Sequence, residues 1–120
     1  MPKPFPLKMR GFHKFGDLLG FEFSKFEKAY SQCILRINEN HFNPHNTVHG
    51  GVLYSMADTG MGAALYSLLA KDELCATVEI KIHYFKAVKE GDLICDTKVI
   101  YKGKTIATLE SEINNNGVLV

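Results

Sequence analysis

The sequence contains no tryptophan, only three cysteines, and almost no imbalance of charge, with 14 lysines and arginines against 13 aspartates and glutamates. A net charge of +1 supplies no field that would gather a polyanion, and no basic run is interleaved with aromatics, so nucleic acid is not an expected partner. Cys33, Cys75 and Cys95 are isolated, odd in number and without C-x-x-C spacing. Each lies in a stretch that reads as strand, and all three are expected to be buried thiols in a reducing compartment. Residues 1–11 open Met-Pro-Lys-Pro and hold no apolar run, so they lack a signal-peptide core, and a cytoplasmic location is expected. The longest apolar stretch, residues 50–70, is interrupted by Tyr54, Asp58, Thr59 and several glycines. That composition suits a buried helix better than a membrane span, and no membrane partner is expected. Internal repeats, low-complexity segments and linkers are also lacking.

What is present is an ordinary globular composition, 46% hydrophobic and 22% charged over 120 residues, which predicts one domain spanning residues 1–120. A domain of that size buries roughly two-thirds of its unfolded surface and has little room for a large private pocket, which favours a site shared between subunits. Residues 11–19 place Phe12, Phe15, Leu18 and Leu19 at helical spacing before Gly20, predicting a short helix with a left-handed cap. Residues 29–37 alternate, with Cys33, Leu35 and Ile37 on one parity and Gln32 and Arg36 on the other, which predicts a strand with one wet face. Residues 38–46 are polar, contain Pro44 and predict a loop.

Residues 50–70 predict a helix that is apolar around most of its circumference and therefore surrounded. Gly60 and Gly62 inside it suggest that another backbone approaches closely there, the sheet being the obvious neighbour. Three strands follow, at 76–85, 93–101 and 105–113, joined by Lys89-Glu90-Gly91-Asp92 and Lys102-Gly103-Lys104 into antiparallel hairpins. In the first of them Ala76, Val78, Ile80, Ile82 and Tyr84 should face inward. After a turn at 114–117, Val118-Leu119-Val120 begins a strand that the sequence does not complete. The order predicts an α+β domain in which a curved antiparallel sheet wraps a long central helix, and one small sheet cannot seal such a helix on all sides.

Two features carry chemistry. Asp58 is the one charged residue in 50–70, and a carboxylate desolvated among apolar neighbours is suited to act as a general base or a nucleophile. The alternative is an aspartate placed where the helix meets water. His49-Gly50-Gly51 stands at the helix start, where the first amides lack intrahelical acceptors and the dipole presents positive charge. Such a terminus can hold a carbonyl oxygen that gains negative charge during acyl transfer, although two glycines before a helix also make a simple turn.

The run Asn43-Pro44-His45-Asn46-Thr47-Val48-His49-Gly50-Gly51-Val52-Leu53-Tyr54-Ser55-Met56-Ala57-Asp58-Thr59-Gly60-Met61-Gly62 resembles the signature of hotdog-fold acyl-CoA thioesterases of the phenylacetate-pathway type, within the 4-hydroxybenzoyl-CoA thioesterase superfamily. Residues 77–85 are similar to that family's next strand, and Lys102-Gly103-Lys104 to its basic hairpin turn. The resemblance implies the hotdog fold, hydrolysis of an acyl or aryl-acyl coenzyme A, and no cofactor beyond the coenzyme A of the substrate. It further implies that the Gly50 amide polarises the thioester carbonyl with Asn43 near the same oxygen. Asp58 of the partner subunit would be base or nucleophile, Thr77 on the partner's side would orient water, and His49 would organise the loop. Gly51, Tyr54, Met61 and Leu65 are candidates for substrate binding, and Lys102 and Lys104 for the coenzyme A phosphates. The implied assembly is a homodimer with a continuous sheet, or a homotetramer. Met56 departs from the commoner leucine by a volume-conserving change.

Three rival readings follow from the same residues. His41, His45 and His49 recur every fourth position, but Pro44 breaks the helical face a metal site would need, and no metal is expected. A hotdog dehydratase would need a glutamate where Ser55 stands. A non-catalytic acyl-CoA-binding module would keep the pocket without needing Asn43, Gly50, Asp58 and Thr77 together.

Overall fold

The computed structural model describes residues 13–120. Helix α1 (Lys14–Leu19) opens the described chain and ends at Gly20, whose φ of 96° is the left-handed cap its sequence predicted. Strands β1 (Glu22–Glu27) and β2 (Tyr30–Arg36) form a hairpin, and a single 3-10 turn (Glu39–His41) follows. Helix α2 (Gly50–Tyr66) crosses the sheet before β3 (Asp92–Lys102), β4 (Ala107–Asn115) and β5 (Val118–Leu119) complete it. The sheet is antiparallel throughout, in the order β1-β2-β3-β4-β5.

Alternation decides which face meets α2. Ser31, Cys33 and Leu35 of β2 and Leu93, Cys95 and Thr97 of β3 are all buried, and Cys33 stands directly opposite Cys95. From the helix, Val52, Leu53, Met56, Ala57, Gly60, Ala63 and Ala64 are buried, a single stripe at three- and four-residue spacing. The helix is apolar nearly all round, yet within one chain only this stripe is covered. Tyr54 is 39% exposed, and Asp58, Met61 and Leu65 are half-buried. This agrees with the expectation that one small sheet does not seal the helix on all sides.

At Gly60 helix and sheet are in close contact. A Cβ there would lie 2.8 Å from Thr97 Oγ1, and the Ser31 hydroxyl donates to the Gly60 carbonyl at 2.7 Å. The close neighbour is thus a pair of side-chain hydroxyls rather than a backbone. Gly62 has nothing within 4 Å of the same position, so no close approach is made there among the described residues.

One strand lay outside the sequence reading, and two further expectations are corrected. Strand β1 was not anticipated, because a bulge between Phe23 and Lys25 breaks its period of two and sets Phe23 and Phe26 three apart. Cys75 is exposed, since its segment is not a strand of the sheet; Cys33 and Cys95 are buried, and burial pushes both thiols up. The strand and inward face predicted for 76–85 are also not formed. Both edges of β3 are taken, by β2 and β4, so the expected hairpin between 76–85 and 93–101 has no place. The stretch runs instead beside the end of the chain, where Phe85 N donates to Val120 O at 2.8 Å. With no ladder along it, Val78 is 86% exposed and Tyr84 50%, and only Ile82 packs on the core.

Candidate functional site

The start of α2 is fixed from below by a loop in which Asn38, His41 and Asn43 each bond backbone groups. Asn38 accepts from Asn40 N at 2.9 Å, and its own N–H donates to His41 Nδ1 at 3.0 Å. His41 is 2% exposed, and its Nε2 donates to the Leu19 carbonyl at 2.7 Å, so both ring nitrogens are engaged. Asn43 Oδ1 accepts from His45 N at 2.8 Å and Thr47 N at 3.2 Å, while its Nδ2 donates to Thr47 Oγ1 at 2.8 Å. Asn43 therefore braces residues 43–47. Val48 N then donates to Val88 O at 2.8 Å and His49 N to His41 O at 2.8 Å, delivering the chain to the helix.

His49 is the N-cap. Its Nδ1 accepts from Gly51 N at 2.7 Å, and its carbonyl accepts from Val52 N at 2.9 Å. Of the first three amides of α2, two are thereby satisfied, and no acceptor among the described residues takes the Gly50 N–H. A groove of about 260 Å³ borders Gly50, lined by Val48, Leu53, Tyr84, Phe85, Lys86 and Val88. The Tyr84 hydroxyl donates to the Gly50 carbonyl at 2.8 Å. Burial, and then neighbouring Tyr54, push the Tyr84 phenol up, which keeps it a hydroxyl donor well into alkaline pH. Tyr84 was anticipated only as an inward-facing residue of a strand. The signal that could have found it is the phenol itself, since a half-buried tyrosine needs a partner for its polar end.

The second group lies further along the helix. Thr77 donates to Asp58 Oδ1 at 2.6 Å, a contact that joins α2 to the extended stretch after it. Asp58 follows Gly50 by eight positions, a rise of about 12 Å along the helix. Within one chain the carboxylate and the bare amide therefore cannot touch one carbonyl group.

The remaining candidates are dispersed. Gly51 gives its N–H to His49, and Tyr54, Met61 and Leu65 share the outer side of α2 rather than lining the groove at Gly50. Lys102 and Lys104 are exposed at the β3–β4 hairpin. Val99 N donates to Ala29 O and Ala29 N to Ser67 Oγ, so that hairpin lies at the C-terminal end of α2, opposite Gly50. Among the described residues no group of three or more His, Cys, Asp or Glu side chains is arranged to hold a metal ion, and no helix is long and apolar enough to cross a membrane.

Comparison with known proteins gives this geometry a context. The chain is 33% identical over 94 residues to a protein of Saccharolobus solfataricus provisionally named an esterase, which covers 78% of this chain and 62% of that one. It thus spans less than two-thirds of that relative's length. A conserved Pseudomonas aeruginosa protein of known structure superimposes with a TM-score of 0.87 at 28% identity, over 90% of this chain and 86% of the other. The PaaI protein from the phenylacetic acid degradation operon of Escherichia coli superimposes with a TM-score of 0.84 at 22% identity, over 91% and 78%. The five-stranded antiparallel sheet with its long helix is the hotdog fold, shared with PaaI-like thioesterases. The family profile described as the thioesterase superfamily matches residues 45–119, which include the His49 cap, Gly50, Asp58, Thr77 and Tyr84, and the chain belongs to that superfamily.

Proposed function

We infer that this chain hydrolyses acyl thioesters of coenzyme A as a homodimer or a tetramer built from such dimers. The observation that carries this reading is the Gly50 N–H, left without an acceptor among the described residues at a helix N-terminus that borders a groove. That amide would donate to the thioester carbonyl oxygen, and its hydrogen bond and the helix dipole would strengthen as the oxygen gains charge in the tetrahedral transition state. His49 and Asn43 act through the backbone, holding the loop that presents the amide.

Because Asp58 lies about 12 Å further along the same helix, the carboxylate at this carbonyl would be Asp58 of the partner subunit. Its bond from Thr77 orients it, and the threonine oxygen retains lone pairs that can accept from a water. As general base, Asp58 takes a proton from that water, whose oxygen bonds to the carbonyl carbon. The carbon–sulfur bond then breaks, and the coenzyme A sulfur leaves with the proton returned by Asp58. Attack by the carboxylate itself, followed by hydrolysis of the anhydride, reaches the same products. Tyr54, Met61 and Leu65, on the outer side of α2, would line the acyl pocket between helices. Lys102 and Lys104 would reach the phosphates of a substrate bound mainly to the other subunit.

The test is release of thiol from acetyl, phenylacetyl, hexanoyl, decanoyl and palmitoyl coenzyme A, with Asp58→Asn in parallel. Loss of a general base should slow turnover at least about a hundredfold and leave substrate binding intact. A near-wild-type rate in Asp58→Asn would remove that residue from the chemistry. Binding without turnover by the wild type on every substrate would favour an acyl-CoA-binding module. Mixing Asp58→Asn with Gly50→Pro chains should restore part of the activity; mixtures as inactive as their parents after confirmed exchange would defeat the shared site.

A further inference from the structure

The stretch 76–85 is tied to the rest of the protein by few bonds. Among the described residues these are Thr77 to Asp58, Tyr84 to Gly50 and Phe85 to Val120. Two of the three end on residues of the proposed site, and the Tyr84 bond reaches the very residue whose amide is bare.

We propose that Tyr84 is a positioning residue for thioester hydrolysis: its hydroxyl holds the Gly50 carbonyl, and its ring walls the groove that opens on the Gly50 amide. This rests on the thioesterase reading above and adds a residue to it. Three features of the geometry support it. The hydroxyl donates to the carbonyl of the first residue of α2 at 2.8 Å, which ties down the first turn, where a helix frays most easily. The ring occupies the side of Gly50 that a side chain would need, since a Cβ there would lie 3.0 Å from Tyr84 Cζ and 3.1 Å from its oxygen. Glycine at 50 and tyrosine at 84 are therefore a matched pair. Finally, Tyr84 is half-exposed and shares the groove with Gly50, so its ring face is available to a bound substrate.

The two parts of the side chain have separable consequences. Without the hydroxyl the wall remains but the helix start is loosened, and a misplaced oxyanion donor slows the chemical step without weakening ground-state binding. Without the ring the groove is wider, and binding weakens as well. An added methyl group at Gly50 acts on the same contact from the other side, because the ring must move by a few tenths of an ångström and its hydrogen bond lengthens.

The experiment measures kcat and KM for the preferred thioester with the full chain, in wild type, Tyr84→Phe, Tyr84→Leu, Gly50→Ala and Gly50→Ala/Tyr84→Leu. Tyr84→Phe should lower kcat about five- to tenfold with KM changed less than about twofold, the size expected for one lost hydrogen bond. Tyr84→Leu should lower kcat comparably and raise KM. The double variant should be no more than about twofold slower than the slower single variant, because both substitutions break one contact. Thermal unfolding of each variant reports the folded fraction to which kcat is normalised, and Tyr84→Phe, which keeps the ring, decides the matter if the leucine variants fail to fold. A wild-type kcat in Tyr84→Phe, or single effects that multiply in the double variant, would overturn the proposal while leaving thioester hydrolysis standing. A wild type inactive on every thioester would overturn both readings.

Discussion

The sheet side of helix α2 and the stretch 74–88 are both rich in apolar residues and meet opposite fates. Toward the sheet, Met56 is fully buried, Gly60 sits against Thr97, and Ser31 and Thr97 find hydroxyl or carbonyl partners. On the other side the stretch 74–88 carries Leu74 and Val78, each 86% exposed, and Phe85 at 64%. Hydrophobicity does not separate the two regions. Backbone pairing does: β2 and β3 have neighbours on both edges, whereas among the described residues the later stretch has only two isolated backbone bonds, Phe85 N to Val120 O and Val48 N to Val88 O. A strand-like pattern becomes a strand only where a ladder partner is available to take its N–H and C=O groups.

The sharpest way to break this comparison is to remove one apolar side chain from each region. Met56→Ala opens a cavity in a region closed on all sides and should cost about 2 to 5 kcal/mol of stability. Val78→Ala removes a group that water already surrounds and should change stability by no more than about 0.5 kcal/mol at the lowest protein concentration measurable. Denaturant unfolding checks both. A loss at Val78 as large as that at Met56, independent of protein concentration, would show that the stretch is covered within the single chain. A loss that grows with concentration would identify a second copy as the cover.

Legibility in the sequence divided along the same line. The short helix before Gly20, strand β2, helix α2, the β3–β4 hairpin and the start of β5 were readable because each depends on local periodicity and turn residues. The asparagine loop, the histidine cap and the lone aspartate were readable as candidates because their residue types are unusual where they stand. What was hidden depends on the third dimension. The bulge in β1 erased its alternation, and the sheet order that expels residues 76–85 depends on which strands reach β3. The bond from Tyr84 to Gly50 spans 34 positions and leaves no periodic trace.

Two glycines on one helix sharpen the comparison further. An alanine at Gly60 would press its methyl group to within 2.8 Å of Thr97 Oγ1, and overpacking of that kind costs about 1 to 3 kcal/mol. An alanine at Gly62 meets nothing within 4 Å, and replacing a helix-interior glycine there should stabilise the protein by about 0.5 to 1 kcal/mol. Thermal unfolding of the two variants should therefore move in opposite directions, although they lie two residues apart. Destabilisation by Gly62→Ala would mean that the outer side of α2 is already occupied, and the contrast between the two sides would then belong to the isolated chain alone.

The smallest expected effect concerns the outer face of the sheet, where pairing is again complete within the chain. Tyr30 donates its hydroxyl to Asp96 Oδ1, which also accepts from Gln32 Nε2 at 2.8 Å, across the β2–β3 pair. Burial first, then the bond to Asp96 and the charges of Asp96 and Glu27, push the Tyr30 phenol from 10.0 up to about 12. A phenol held protonated by the fold contributes stability that is fully present below pH 10 and is lost as pH rises through 12. Wild type and Tyr30→Phe should thus differ most in denaturation midpoint near neutral pH, and the difference should shrink between pH 10 and 12. Comparing the two proteins removes the titration common to both, including that of the lysines. A difference that stays constant across this window would mean that Tyr30 ionises in the folded state as readily as in the unfolded one. Tyr30, Gln32 and Asp96 would then be solvated in the folded chain much as they are in the unfolded one.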